Sequence, residues 1–215
     1  MEVDSARLER ALKAAAQACT NESHGIHGPD SLAWKLGGEA LNFLGGGRAA
    51  LLQLAHPAVA YAIDQHSTTR SDPRGRFQRT FEMVYAMVFG DWPAAEKAAR
   101  RVHRIHRQVV GSVGEDAGDF AAGDRYAANQ VGYLRWVWAT LVDTLLVVHD
   151  RFGGGLSLDD KRNYLRESTA FAGLFGLSLE DLPGSYEDFK YYFNKMLASG
   201  ALQITKPARE IAEFL

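Results

Sequence analysis

The apolar residues of this chain recur three or four positions apart over nearly its whole length, and helix-capping residues bracket each run. No segment alternates apolar and polar residues with β-branched enrichment, so no sheet is expected. Asp4 can cap a first helix running to residue 18, with Leu8, Leu12 and Ala15 at helical spacing. Residues 21–29 are polar and Gly-rich and read as a loop. A broken helical stretch covers 31–44 with a break at Gly37-Gly38, and Gly45-Gly46-Gly47 reads as a turn. The apolar segment over 48–63 carries Pro57, which kinks or splits it. Asp72-Pro73 opens a helix that stops at Gly90, and Asp91 with Pro93 opens another that runs to Val110 and stops at Gly111. Residues 112–124 form a Gly/Asp loop. Further helices are expected from about Gln130 to the glycines at 153–155, and from the capping box Ser157-Leu158-Asp159-Asp160 to about Leu174. Two more follow, from Ser185 to Leu197 and from Thr205 and Pro207 onward. The last has no stop signal before Leu215, which marks either a short chain or one whose C-terminal part is missing. One all-α, single globular helical domain is the economical solution.

Composition narrows the function classes. At 215 residues and 47% hydrophobic, the chain can bury one sizeable core without disulfides or metal staples. A net charge of −2 argues against nucleic-acid binding through a general basic field. The single Cys19 forms no intrachain bridge, and the N-terminus lacks a basic and then apolar leader, so a cytoplasmic protein is expected. The most apolar run, 136–148, is interrupted by Asp143 and too short to span a bilayer, so it reads as a core helix and no transmembrane segment is expected. Walker, nucleophile-elbow, zincin and di-iron Glu-x-x-His motifs are all missing from the sequence.

Four constellations carry the chemistry that remains. On the helix from Pro93, Ala99, Val102, His106 and Val109 make an apolar stripe flanked by His103 and Val110, with Arg100, Arg104 and Arg107 opposite. His106 in that row is either a core histidine bonded to a carbonyl or a metal or haem axial ligand, and His103 could orient the site. Arg76, Arg79 and Thr80 share a helix face that continues into Met83 and Met87, a polar triplet running into an apolar wall. Such guanidinium groups hold carboxylates or stabilise oxygen-derived charge; the alternative is a solvated helix start. His56 lies in apolar surroundings just before Pro57, where it can bond a freed carbonyl or line a site. Asp143 shares a face with Trp136, Ala139, Thr140 and Val147, so it needs a buried partner: an arginine or the free ring N–H of a ligand histidine. Glu167 is a weaker case of the same kind.

In order and spacing these motifs resemble the MpaB / latex-clearing-protein (rubber oxygenase) family. The residues that carry the likeness begin with Gly46-Gly47-Arg48-Ala49, Leu51-Leu52-Gln53-Leu54-Ala55-His56-Pro57, Asp72-Pro73, Gly75-Arg76 and Arg79-Thr80. They continue with Val88-Phe89-Gly90-Asp91, His106 with Val109 and Gly111, Tyr126-Ala127-Ala128-Asn129, Trp136-Val137 with Asp143, Tyr164 with Glu167, and Leu182-Pro183. The resemblance implies a globin-like helical arrangement, with an N-terminal helix and loop over 1–27 and an oxygenase catalytic domain over 28–215. In the latex-clearing branch one proximal histidine holds a b-type haem, and polyisoprene double bonds are cleaved with dioxygen. By position His106 matches that histidine, and Arg76 and Thr80 match the distal Arg and Thr. Arg79 stands where that branch has a lysine able to ligate iron in a closed state. Arginine stays protonated and cannot ligate, so that state should be missing. No glutamate falls in 58–63, near that branch's acidic residue, and Asp64 is the nearest candidate. These departures point away from polyisoprene.

The expectation is therefore a haem b (iron) oxygenase acting with dioxygen on an apolar, isoprenoid-like small molecule. His106 would be the axial ligand, Arg76, Arg79 and Thr80 the distal groups, and His56, His103 and Asp143 supporting groups. The alternatives are a non-catalytic haem or apolar-ligand binder, and a non-haem metal site on His56, His103 and His106.

Overall fold

The computed structural model describes residues 1–19, 21–67 and 72–213, the side chains of residues 18, 73, 74, 76 and 77 excepted. Nearly every capping residue picked out in the sequence starts a helix. The Asp4 carboxylate accepts the Arg7 N–H at 2.7 Å and opens α1 (Ser5–Ala18). Next come α2 (Leu32–Gly37), α3 (Gly46–Leu54) and α4 (Pro57–His66), the last two being one apolar segment split at Pro57. Asp72 caps α5 (Pro73–Phe89) and Asp91 caps α6 (Trp92–His106). The series ends with α7 (Val131–Phe152), α8 (Leu158–Gly173), α9 (Tyr186–Ala198) and α10 (Lys206–Ala212). Ser157 opens α8 with a reciprocal capping box, and Ser185 and Thr205 cap the two that follow. The result is a mostly helical single domain.

Four expectations are corrected. The glycines at 45–47 are not a turn: Gly45 ends a 3₁₀ segment (Ala40–Gly45), and Gly46 and Gly47 begin α3. A Cβ on Gly45 would stand 2.5 Å from Thr144 Cγ2 and 2.8 Å from Val148 Cγ2, so the glycine is there to bring this segment onto α7. The helix expected to reach Val110 ends at His106, because the chain turns into an antiparallel ribbon. That ribbon, β1 (Val110–Ser112) with β2 (Arg125–Ala127), overturns the expectation of no sheet; three-residue strands are too short to show alternation. Gly111 faces Tyr126 in it, and a side chain there would run into Tyr126 and Gln65. Finally, the last helix stops at Ala212.

The core is built around α7. Trp136, Trp138, Ala139, Val142 and Leu146 are buried against α1, α6, α8 and α9. Trp136 stacks on Phe193 at 5.4 Å and Trp138 meets Phe189 edge-on at 5.7 Å. Both indoles are satisfied, Trp136 donating to Leu52 O at 3.1 Å and Trp138 to Ser168 O at 3.2 Å. Among the described residues α7 alone is long and apolar enough to cross a membrane, and 61% of its most apolar window is buried inside the protein. That burial is what a core helix shows. The two-residue connection Gly90-Asp91 folds α6 back along α5, which brings the two chemistry-bearing helices side by side.

Candidate functional site

Helix α6 presents small residues to the core. Ala95, Ala98 and Ala99 are buried, and one turn further His103 is 8% exposed and His106 half-buried. His103, expected on the flank of the stripe, is thus drawn into the interior as well. On the outer side Arg100 is engaged by the Glu9 and Glu96 carboxylates, so its charge is balanced locally.

The buried amide of Asn129, between β2 and α7, contacts this pair. Its Nδ2 lies 3.3 Å from His103 Nδ1 and 3.4 Å from the His103 carbonyl oxygen. His103 Nε2 is buried with no hydrogen-bond partner. Burial pulls the His103 ring below its ordinary pKa, helped by Arg107 and opposed by Asp4 and Glu2. Burial takes His106 down to about 4, helped by the charge of His103 and opposed by a hydrogen bond with Asn129. Both rings are neutral at neutral pH, the form that ligates metals.

His56 stands elsewhere, at the start of α4. Its ring meets Tyr133 at 4.9 Å and Phe120 at 5.9 Å, both edge-on, and its Nδ1 is buried without a partner. Burial lowers its pKa to about 4, against the pull of Asp119. Among the described residues no group of three His, Cys, Asp or Glu side chains could hold a metal ion. The three histidines therefore do not form the three-ligand centre that sequence reasoning left open.

Asp143 finds the arginine partner rather than a histidine. Its Oδ2 accepts from Arg48 Nη2 at 2.6 Å and its Oδ1 from Lys190 Nζ at 3.3 Å. Arg48 also donates to Thr144 Oγ1 at 2.7 Å, and Gln53 donates to Thr140 Oγ1 at 3.0 Å. These bonds brace α3 and α9 against α7. Neither Arg48 nor Lys190 is marked by local spacing as a partner, since they lie 95 and 47 residues from Asp143. Glu167 is likewise structural, its Oε2 accepting the Ala33 N–H at 2.6 Å in the first turn of α2.

On α5, Arg79 and Thr80 are exposed, Met83 is half-buried and Met87 is fully buried. Arg79 Nη1 pairs with Asp72 Oδ2 at 3.1 Å. The side chain of Arg76 lies outside the described residues. Beyond Thr80 an aromatic ladder climbs the helix. Phe43 stacks on Phe81 at 5.3 Å, Phe81 contacts Tyr85, and Tyr85 contacts Phe89, which receives the edge of Trp34 at 5.0 Å. Two further buried histidines escaped sequence reasoning. His149 Nε2 meets Asn42 Oδ1 at 3.3 Å, and burial lowers His27 to about 4. Neither stands in a readable motif. A shallow dent on α8, lined by Asp159, Arg162, Asn163 and Arg166, is polar and has no part in this arrangement.

A family model described as "ER-bound oxygenase mpaB/B'/Rubber oxygenase, catalytic domain" matches residues 34–215. The chain belongs to this family. The mpaB/rubber oxygenase match takes in α5, α6, α7, Asn129, the Arg48–Asp143 brace and His56, so every candidate residue lies inside it. Helix α1 and the first three residues precede it. The family is an oxygenase catalytic domain, which sets the class of chemistry: a substrate and dioxygen. Neither the curated proteins nor the solved structures give a match to this chain.

Proposed function

We propose that this member of the mpaB/rubber oxygenase family is a haem b-dependent oxygenase that acts on an apolar, isoprenoid-like small molecule. The observation that carries the reading is the pair of neutral imidazoles on α6, where no three-ligand metal group forms among the described residues. A non-haem metal needs three or four protein donors, whereas a porphyrin brings four nitrogens and asks the protein for one imidazole. The donor set suits haem. His106 would hold the haem, with His103 as its buried neighbour. Bound haem supplies the activation of dioxygen.

The chain's own residues do the rest. Arg79, held by Asp72, and Thr80 give the open end of the α5–α6 pair a fixed cation and a hydroxyl, with Arg76 one turn earlier. Such groups stabilise negative charge on oxygen and orient an oxygen-containing ligand. Met83, Met87 and the Phe81–Tyr85 rungs offer apolar surface for a greasy substrate. Asp143 and His56 stay outside the chemistry, the first as a brace and the second inside an aromatic box.

The test is dioxygen uptake by hemin-reconstituted protein across a panel of prenyl compounds. Uptake that requires both hemin and a prenyl compound is expected. Hemin binding without uptake would replace the enzyme with a carrier.

A further inference from the structure

Asn129 is 1% exposed and is strapped from behind by the N-terminus of the chain. The Val3 N–H donates to the Asn129 carbonyl at 2.8 Å, Glu2 bridges Gln130 antiparallel, and the Val131 N–H donates to Met1 O at 3.0 Å. The Val3 side chain is fully buried. Residues that precede the family match therefore fix the residue that touches both α6 histidines.

The orientation of the amide follows from what surrounds it. A backbone carbonyl only accepts, so the amide atom 3.4 Å from His103 O is the NH₂ nitrogen. The same nitrogen lies 3.3 Å from His103 Nδ1, so Nδ1 accepts and the ring proton sits on Nε2. That Nε2 is buried and has no acceptor. A buried donor without an acceptor is costly, and native structures keep few of them. With its nitrogen committed to His103, the amide keeps its oxygen for His106, whose hydrogen bond with Asn129 favours the ring N–H.

We infer that Asn129 is the positioning residue of the α6 pair: it holds His103 as a buried Nε2–H donor for an oxygen acceptor on the bound group. His103 in that tautomer has no lone pair at Nε2 for a metal, and the ligand role falls to His106. Only the nature of the bound group rests on the haem reading; the tautomer does not.

The test reads the tautomer directly. Long-range ¹H–¹⁵N correlation on the haem-free chain of residues 1–215 at neutral pH should show His103 protonated at Nε2. An Nδ1–H form in the unmodified chain overturns the inference without any variant. Asn129→Asp, close in size, offers an acceptor in place of the donor and should flip His103 to Nδ1–H, while Asn129→Ala should give a mixture. A folded Asn129→Asp protein with an unchanged His103 tautomer also overturns it. In parallel, hemin titration of Asn129→Asp should show affinity weakened about tenfold or more, as for other groups that orient a ligand histidine. If the unmodified chain binds no hemin, the haem reading fails and the NMR result still decides the role of Asn129.

Discussion

The brace at Asp143 makes a directional prediction, because its partners are unequally buried. The Asp143 side chain is 4% exposed, whereas those of Arg48 and Lys190 are 35% and 41% exposed. Arg48→Met keeps much of the apolar stem and removes the guanidinium. The carboxylate is then left buried with only the longer Lys190 contact at 3.3 Å. Leaving a buried charge without its main partner costs about 3–5 kcal/mol. Asp143→Asn leaves the two cations instead, and both can turn toward water, so its cost is about 1–2 kcal/mol. For a chain of this size each kcal/mol moves Tm by about 2–4 °C. Arg48→Met should then lower Tm by about 6–20 °C and Asp143→Asn by about 2–8 °C. The double variant should be more stable than the sum of the two losses by about 1 kcal/mol or more. Urea denaturation of the four proteins measures all three quantities. Equal costs, a costlier Asp143→Asn, or strict additivity would refute the reasoning. Hemin spectra of Asp143→Asn should match the unmodified protein, since the carboxylate serves no histidine.

Three further outcomes are expected. Burial takes His27 and His56 from 6.5 to about 4, so the unfolded chain binds more protons between those values. Their stabilisation is complete above pH 6.5 and lost as pH falls toward 4, by about 1.4 kcal/mol per pH unit for each ring. In His56→Phe, unfolding measured from pH 4.5 to 7.5 should lose one ring's worth of that slope; an unchanged slope would count against the burial of His56. Gly45→Ala should destabilise by about 1–3 kcal/mol through the Thr144 and Val148 methyls. Adding Thr144→Ser, which removes one methyl and keeps the hydroxyl for Arg48, should recover part of the loss in thermal melts. Val3→Pro removes the N–H that satisfies the Asn129 carbonyl and should cost about 1–3 kcal/mol. In the same variant, hydrogen exchange should rise around residues 129–131.

Helix starts were legible because a cap is local: an Asp, Ser or Thr and the N–H two or three residues on explain themselves. Pro57 splitting an apolar run is equally local. The ribbon after His106 was not, because three-residue strands carry no period and their pairing partner lies beyond a loop. The glycines at 45–47 misled for a related reason. A glycine kept for close approach to α7 looks in sequence like a glycine kept for a turn. At the site, Asp143 announced that it needed a partner, yet nothing near it pointed to Arg48 or Lys190. The α6 periodicity found both histidines, but the amide that meets them comes from the far side of the ribbon and carries no local signal. Asn129 could be read as part of a motif, but its amide bridge depends on a tertiary contact.

The most direct test of a histidine-ligated haem is an absorbance scan of the purified full chain with one equivalent of hemin. A Soret band distinct from that of free hemin is expected, lost or displaced in His106→Ala and retained in His103→Ala. No Soret band in the unmodified protein, or an identical band in His106→Ala, would contradict it.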